Sequence, residues 1–139
     1  MTIVLSKSAK ALAWFGIVNG ALTVVTPVLL SIFGTQSVPA AAFVLLIPLG
    51  IASIIAGLHG LKTKSWAFWL LFLTFFVQTA EYFSESFFFS FIGPLSIKFG
   101  WGWNSPPSHF NLNILAIVVC VFASRIAAQL ASHSAEDNT

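Results

Sequence analysis

The sequence predicts an all-α integral membrane protein, a bundle of four transmembrane helices with both termini in the cytoplasm. Three observations lead there. Hydrophobic residues make up 58% of the 139 residues and charged residues only 7%, whereas a soluble domain carries about 25% charged residues to cover its surface. The mean hydropathy is +0.93. The apolar residues are gathered into four long stretches, and at about 1.5 Å per residue some 20 helical residues cross a hydrocarbon core of roughly 30 Å.

The expected spans are 11–33, 40–61, 66–91 and 110–131, within a single domain of 1–139 that ends in the polar tail 132–139. Helices are expected because lipid cannot satisfy backbone N–H and C=O groups. The first stretch comes after Lys7 and Lys10 but is too long for the apolar region of a signal peptide, and no A-x-A site closes it. It reads as a retained helix. Between the spans stand the short turn Gly34–Pro39, the basic turn Lys62–Ser65 and the longest loop, Gly93–Ser108, which holds Gly93-Pro94, Gly100, Gly102 and Pro106-Pro107. Ser108 is the expected cap of the fourth helix. Pro27 and Pro48 fall inside helices and should bend them.

The cations set the orientation. Lys7, Lys10, Lys62, Lys64 and Arg125 fall on one side of a four-span chain and Lys98 alone on the other, so the positive-inside rule places both termini in the cytoplasm. A bacterial inner (plasma) membrane is the expected location. Trp14 and Trp66 mark the inner interface, Trp101 and Trp103 the outer one. Small residues mark the packing faces: Ala9, Ala13, Gly16 and Gly20; Ser53, Ala56, Gly57 and Gly60; Ala116, Cys120, Ser124 and Ala128. Such residues let helix backbones approach closely.

The candidate site comes from two polar stripes. On the third span Thr74, Gln78, Glu81 and Glu85 are spaced four, three and four, which places them on one face of a helix. Ionisable groups at membrane depth usually face the protein interior or a cavity. On the first span Gly16, Asn19, Thr23 and Thr26 form a matching stripe. With both helices running the same way, Thr23 should meet Gln78 and Thr26 should meet Glu81. His109, Asn111 and Asn113 start the fourth span near the level of the two carboxylates. The expected ligand-binding set is therefore Glu81, Glu85, Gln78, Thr26, Thr23 and His109, in a pocket open to the outside. Lys98 and His109 are the nearest partners available to Glu81.

Other chemistries find no support. The six Lys and Arg residues are scattered, which argues against nucleic acid. A lone cysteine, Cys120, gives no disulfide and no cysteine-based metal site. His59 and His109 belong to opposite sides, so they share no haem, and no His/Asp/Glu triad has metal-ligand spacing. No catalytic residue, metal or cofactor is expected, and enzymatic activity is not. Two function classes remain. One is a binding or accessory protein that engages a partner protein, a lipid or a hydrophobic ligand through the outer polar pocket. The other is a proton- or cation-coupled transporter working as a homo-oligomer. The bilayer itself is the expected surrounding in both.

Overall fold

A computed structural model describes residues 5–34, 40–86, 88–90, 93–104 and 107–136, and the side chains of 40–42, 88–90 and 134–136 are not among those described. Most of the turn expected at Gly34–Pro39, the residues Phe87, Ile92 and Pro106, and the end of the tail lie outside the described residues.

The described residues are mostly helical, with four helices among them: α1 (Lys7–Phe33), α2 (Ala40–Gly60), α3 (Ser65–Phe76) and α4 (Ile114–Glu136). Three contain stretches long and apolar enough to cross a membrane: Lys7–Phe33, Phe43–Gly60 and Ile114–His133. The third span departs from expectation. α3 has 12 residues, about 18 Å of helix, and the chain then enters a four-stranded antiparallel sheet. The strands are β1 (Ala80–Ser84), β2 (Phe88–Ser90), β3 (Lys98–Asn104) and β4 (Pro107–Asn113), in the order β2-β1-β4-β3. The expectation of a wholly α-helical protein, with helices over 66–91 and 110–131, is corrected accordingly.

Local chemistry shows why α3 stops. Gln78 and Thr79 no longer reach back four residues; their N–H groups donate to Phe75 and Phe76 at 3.0 and 3.1 Å. The Thr74 carbonyl, left without its helical donor, accepts from Gln78 Nε2 at 2.9 Å. The segment from Tyr82 to Phe91 is rich in aromatic residues, which suit a pleated surface. The next strands supply partners: the Asn113 N–H donates to Thr79 O at 2.8 Å, and the Ile114 N–H to Ile97 O at 2.8 Å. Asn113, not Ser108, caps α4, its Oδ1 accepting from Ala116 N and Ile97 N, both at 3.3 Å. Ser108 instead lies in β4.

The helices pack with small residues inside and large ones outside. Ala13, Ala56, Ala67, Ala116, Ala123 and Ala127 are fully buried, while Val18, Leu29, Ile55, Leu73, Val121 and Phe122 are exposed. Gly16 and Gly20 of α1 meet Ser53 and Gly50 of α2, and Ser53 Oγ donates to Gly16 O at 2.9 Å. α3 and α4 run antiparallel, joined by Ser65 Oγ to Ala127 O at 3.0 Å and by Cys120 Sγ to Phe72 O at 3.6 Å. Phe68, Leu71 and Phe75 of α3 fill the centre. The expected packing residues of α1 and α2 are all buried. On α4 the buried stripe drifts from the expected one: Ala116 and Cys120 lie inside, Ser124 is half-buried and Ala128 exposed, and Ala123, Ala127 and Leu130 take over. The basic turn between α2 and α3 holds Thr63 at φ 60, an uncommon conformation for a β-branched residue.

Candidate functional site

Four of the expected site residues separate into two groups, Thr23 and Gln78 buried among the helices and Glu81 and His109 on the sheet. The buried group forms where α1 passes the end of α3. Asn19, Thr23, Thr74 and Gln78 are almost wholly buried. Thr23 Oγ1 donates to Asn19 O at 2.7 Å, and Thr74 Oγ1 to Leu71 O at 2.9 Å. Gln78 holds two segments together: its Nε2 donates to Thr74 O, and its Oε1 accepts from the Gly93 N–H at 3.1 Å. Gly93 fits here because it lacks a side chain. A Cβ on it would stand 2.8 Å from Gln78 Oε1 and 3.0 Å from Thr23 Oγ1. Thr23 and Gln78 therefore both lie against the Gly93 backbone. Asn19 shares the cluster, but neither its Nδ2 nor its Oδ1 has a hydrogen-bond partner.

Glu81 is elsewhere. It lies on β1, paired with Asn111 of β4 and Ser90 of β2. Its Oε2 accepts from Lys98 Nζ at 2.9 Å and from Asn111 Nδ2 at 3.3 Å. Successive side chains of a strand alternate between faces, so the register decides which residues share a surface. One face carries Lys98, the Glu81–Asn111–Gly100 row and the Phe83–His109–Gly102 row. Here Gly100 and Gly102 are side-chain sized gaps. A Cβ on Gly100 would collide with Asn111 Oδ1, and one on Gly102 would stand 2.7 Å from His109 Nδ1. Asn111 and His109 lie flat across the β3 backbone because those two positions are glycine.

Of the other two expected residues, Thr26 is half-buried on α1 and Glu85 is exposed in the bend after β1. The helical spacing that aligned Glu81 and Glu85 with Gln78 has no force once α3 ends at Phe76. His109 does share a face with Glu81, though through strand register rather than through helix depth. Lys98 is the partner of Glu81, as its proximity in the outer segment suggested. Gly93, Gly100 and Gly102 escaped selection as site residues; the alternation Lys98-Phe99-Gly100-Trp101-Gly102-Trp103 is the signal that marks the latter two.

The polar face offers a fixed carboxylate–ammonium pair, a carboxamide and an exposed imidazole. It can present donors and acceptors to a ligand. Glu81 keeps 15% of its side-chain surface and Lys98 42%, so the pair is accessible from one side. Among the described residues no group of three or more His, Cys, Asp or Glu is placed to hold a metal ion. Comparison with models of protein families, with curated proteins and with solved structures finds no match for this chain.

Proposed function

We propose that the protein is a multi-pass protein of a bacterial plasma membrane, with both termini cytoplasmic, that works as a binding or accessory protein through the polar face of its outer sheet. Three features support the membrane part: the length of α1, α2 and α4, the large apolar side chains on their outward surfaces and the five-to-one distribution of Lys and Arg. α3 is short, and in this reading the sheet that follows it lies at the outer boundary of the membrane. Reporter fusions at Thr139 and at Ser96 should then report opposite sides of the membrane; the same side for both would remove the topology.

One observation carries the binding part. Glu81, Lys98, Asn111 and His109 converge on one sheet face, with two glycines making room for the last two. None of these four side chains belongs to the hydrophobic core cluster, and donors and acceptors gathered on one face can engage a ligand or partner. A photo-crosslinking amino acid placed at His109 should trap the partner in intact cells, giving a protein-sized adduct for a partner protein and a lipid-sized one for a lipid or hydrophobic ligand. Glu81→Gln, which keeps the shape but ends the ion pair, should reduce that adduct. The reading fails if His109 traps nothing, or if the adduct is indifferent to Glu81→Gln and to Lys98→Met.

A further inference from the structure

The opposite face of the sheet has a different character. Its rows are Ala80–Leu112–Phe99, Tyr82–Phe110–Trp101 and Ser84–Ser108–Trp103. No Asp, Glu, Lys or Arg lies in them; the ion pair is on the other side. Phe99, Trp101 and Trp103 are 57%, 48% and 54% exposed. They form a platform, not scattered side chains: Phe99 meets Trp101 edge-on at 4.8 Å, and Trp101 stacks on Phe110 at 6.3 Å. The lower end of this face joins the helices. Leu112 lines an apolar groove of about 350 Å³ with Phe72 and Phe76 of α3 and Ile117 and Val121 of α4. The aromatic face and the outward side of the α3–α4 pair are thus one continuous surface.

We propose that this face, with Phe99, Trp101 and Trp103 at its centre, is a docking surface for the lipid bilayer and rests at headgroup depth on the membrane that the helices cross. The inference depends on the helices being embedded as described above. Continuity selects the occupant: a lipid that lies along α3 and α4 must meet Leu112 and then the aromatic rows. The chemistry agrees. Indole rings combine an apolar body with one N–H donor and concentrate at the membrane–water boundary. The sheet would then be amphipathic in the plane of the membrane, with aromatic rings toward lipid and the Glu81–Lys98 pair toward water.

The test uses the whole chain in phosphatidylcholine vesicles. The protein has five tryptophans, Trp14, Trp66, Trp69, Trp101 and Trp103, and three variants each keep one of Trp14, Trp101 or Trp103, with the others changed to Phe. Phosphatidylcholine brominated near the top of its acyl chains should remove most of the emission of Trp101 and of Trp103, while aqueous iodide should remove little. The proposal is overturned if iodide quenches both and the brominated lipid neither. Trp14 on α1 separates the two readings. If it is quenched by brominated lipid while Trp101 and Trp103 are not, the helices are embedded and only the docking fails; if all three escape, the membrane reading fails as well. A second measurement avoids any reliance on tryptophan. In a Cys120→Ala background, Phe99→Cys should react with a membrane-impermeant maleimide much more slowly than His109→Cys on the opposite face. Equal rates in vesicles would refute the two-faced seating.

Discussion

Glycine has opposite uses at the two ends of this molecule. Between α1 and α2 it lets backbone meet backbone: a Cβ on Gly20 would stand 2.5 Å from Gly50 O, one on Gly50 2.7 Å from Gly20 O, and one on Gly57 2.5 Å from Ala13 O. In the sheet Gly100 and Gly102 let side chains lie on a strand, and the nearest atoms in the way belong to Asn111 and His109, with the Phe110 carbonyl 3.2 Å from a Cβ on Gly100. A helix backbone locked in its hydrogen-bond ladder cannot yield to a new methyl group, whereas a side chain at a surface can turn aside. The same residue type is therefore a fixed structural requirement in one region and an adjustable feature of the candidate site in the other.

The largest effect should come from breaking the helical side of that comparison. Gly20→Ala forces the α1 and α2 backbones apart and should destabilise the protein by about 1–3 kcal/mol, read as a lower unfolding midpoint in a denaturing detergent titration. Gly100→Ala should cost clearly less in the same titration, because Asn111 can rotate away, yet it should reduce His109-dependent crosslinking by disturbing the polar face. Equal losses of stability would dissolve the distinction between the two kinds of glycine.

A second effect lies at the junction of the regions. Gln78→Leu removes the acceptor of the Gly93 N–H and the donor to Thr74 O, leaving buried backbone groups unpaired at a cost of about 1–3 kcal/mol. Since Gln78 ties α3 to the segment that leads from β2 to β3, loss should concentrate there. Hydrogen exchange of the Gly93 amide should accelerate more than that of core amides such as Leu71. Uniform acceleration would mean that Gln78 serves the global fold and not the junction.

These features differ in how far the sequence reveals them. The long apolar stretches and the buried glycines of α1 and α2 are legible in composition and a period of 3.6, because each depends on residues close together on a helix. The end of α3 is harder to read. Trp66 to Phe91 is apolar throughout most of its length, and a continuous apolar run does not by itself separate helix from strand. The discriminating signal lies downstream, in the alternation from Lys98 to Asn104 and from Ser108 to Asn113 on either side of Ser105-Pro106. That is a hairpin pattern, and it supplies the hydrogen-bond partners that draw Ala80–Ser84 out of the helix. The separation of Glu81 and His109 on the sheet from Thr23 and Gln78 among the helices is a consequence of that long-range pairing, which no local spacing contains.

Asn19 gives the comparison its smallest and most informative change. It is fully buried, and both polar atoms of its carboxamide lack partners, while Gln78, a few ångströms away across Gly93, has each of its own satisfied. A buried polar group without a hydrogen bond costs stability, and an apolar residue of similar size avoids that cost. Asn19→Leu should therefore leave the unfolding midpoint unchanged or raise stability by about 1 kcal/mol, the reverse of Gln78→Leu although both replace a buried amide in the same cluster by the same residue. If Asn19→Leu instead destabilises the protein as much as Gln78→Leu, the Asn19 carboxamide has a polar partner in the membrane, and the junction between helices and sheet is built on two amides instead of one.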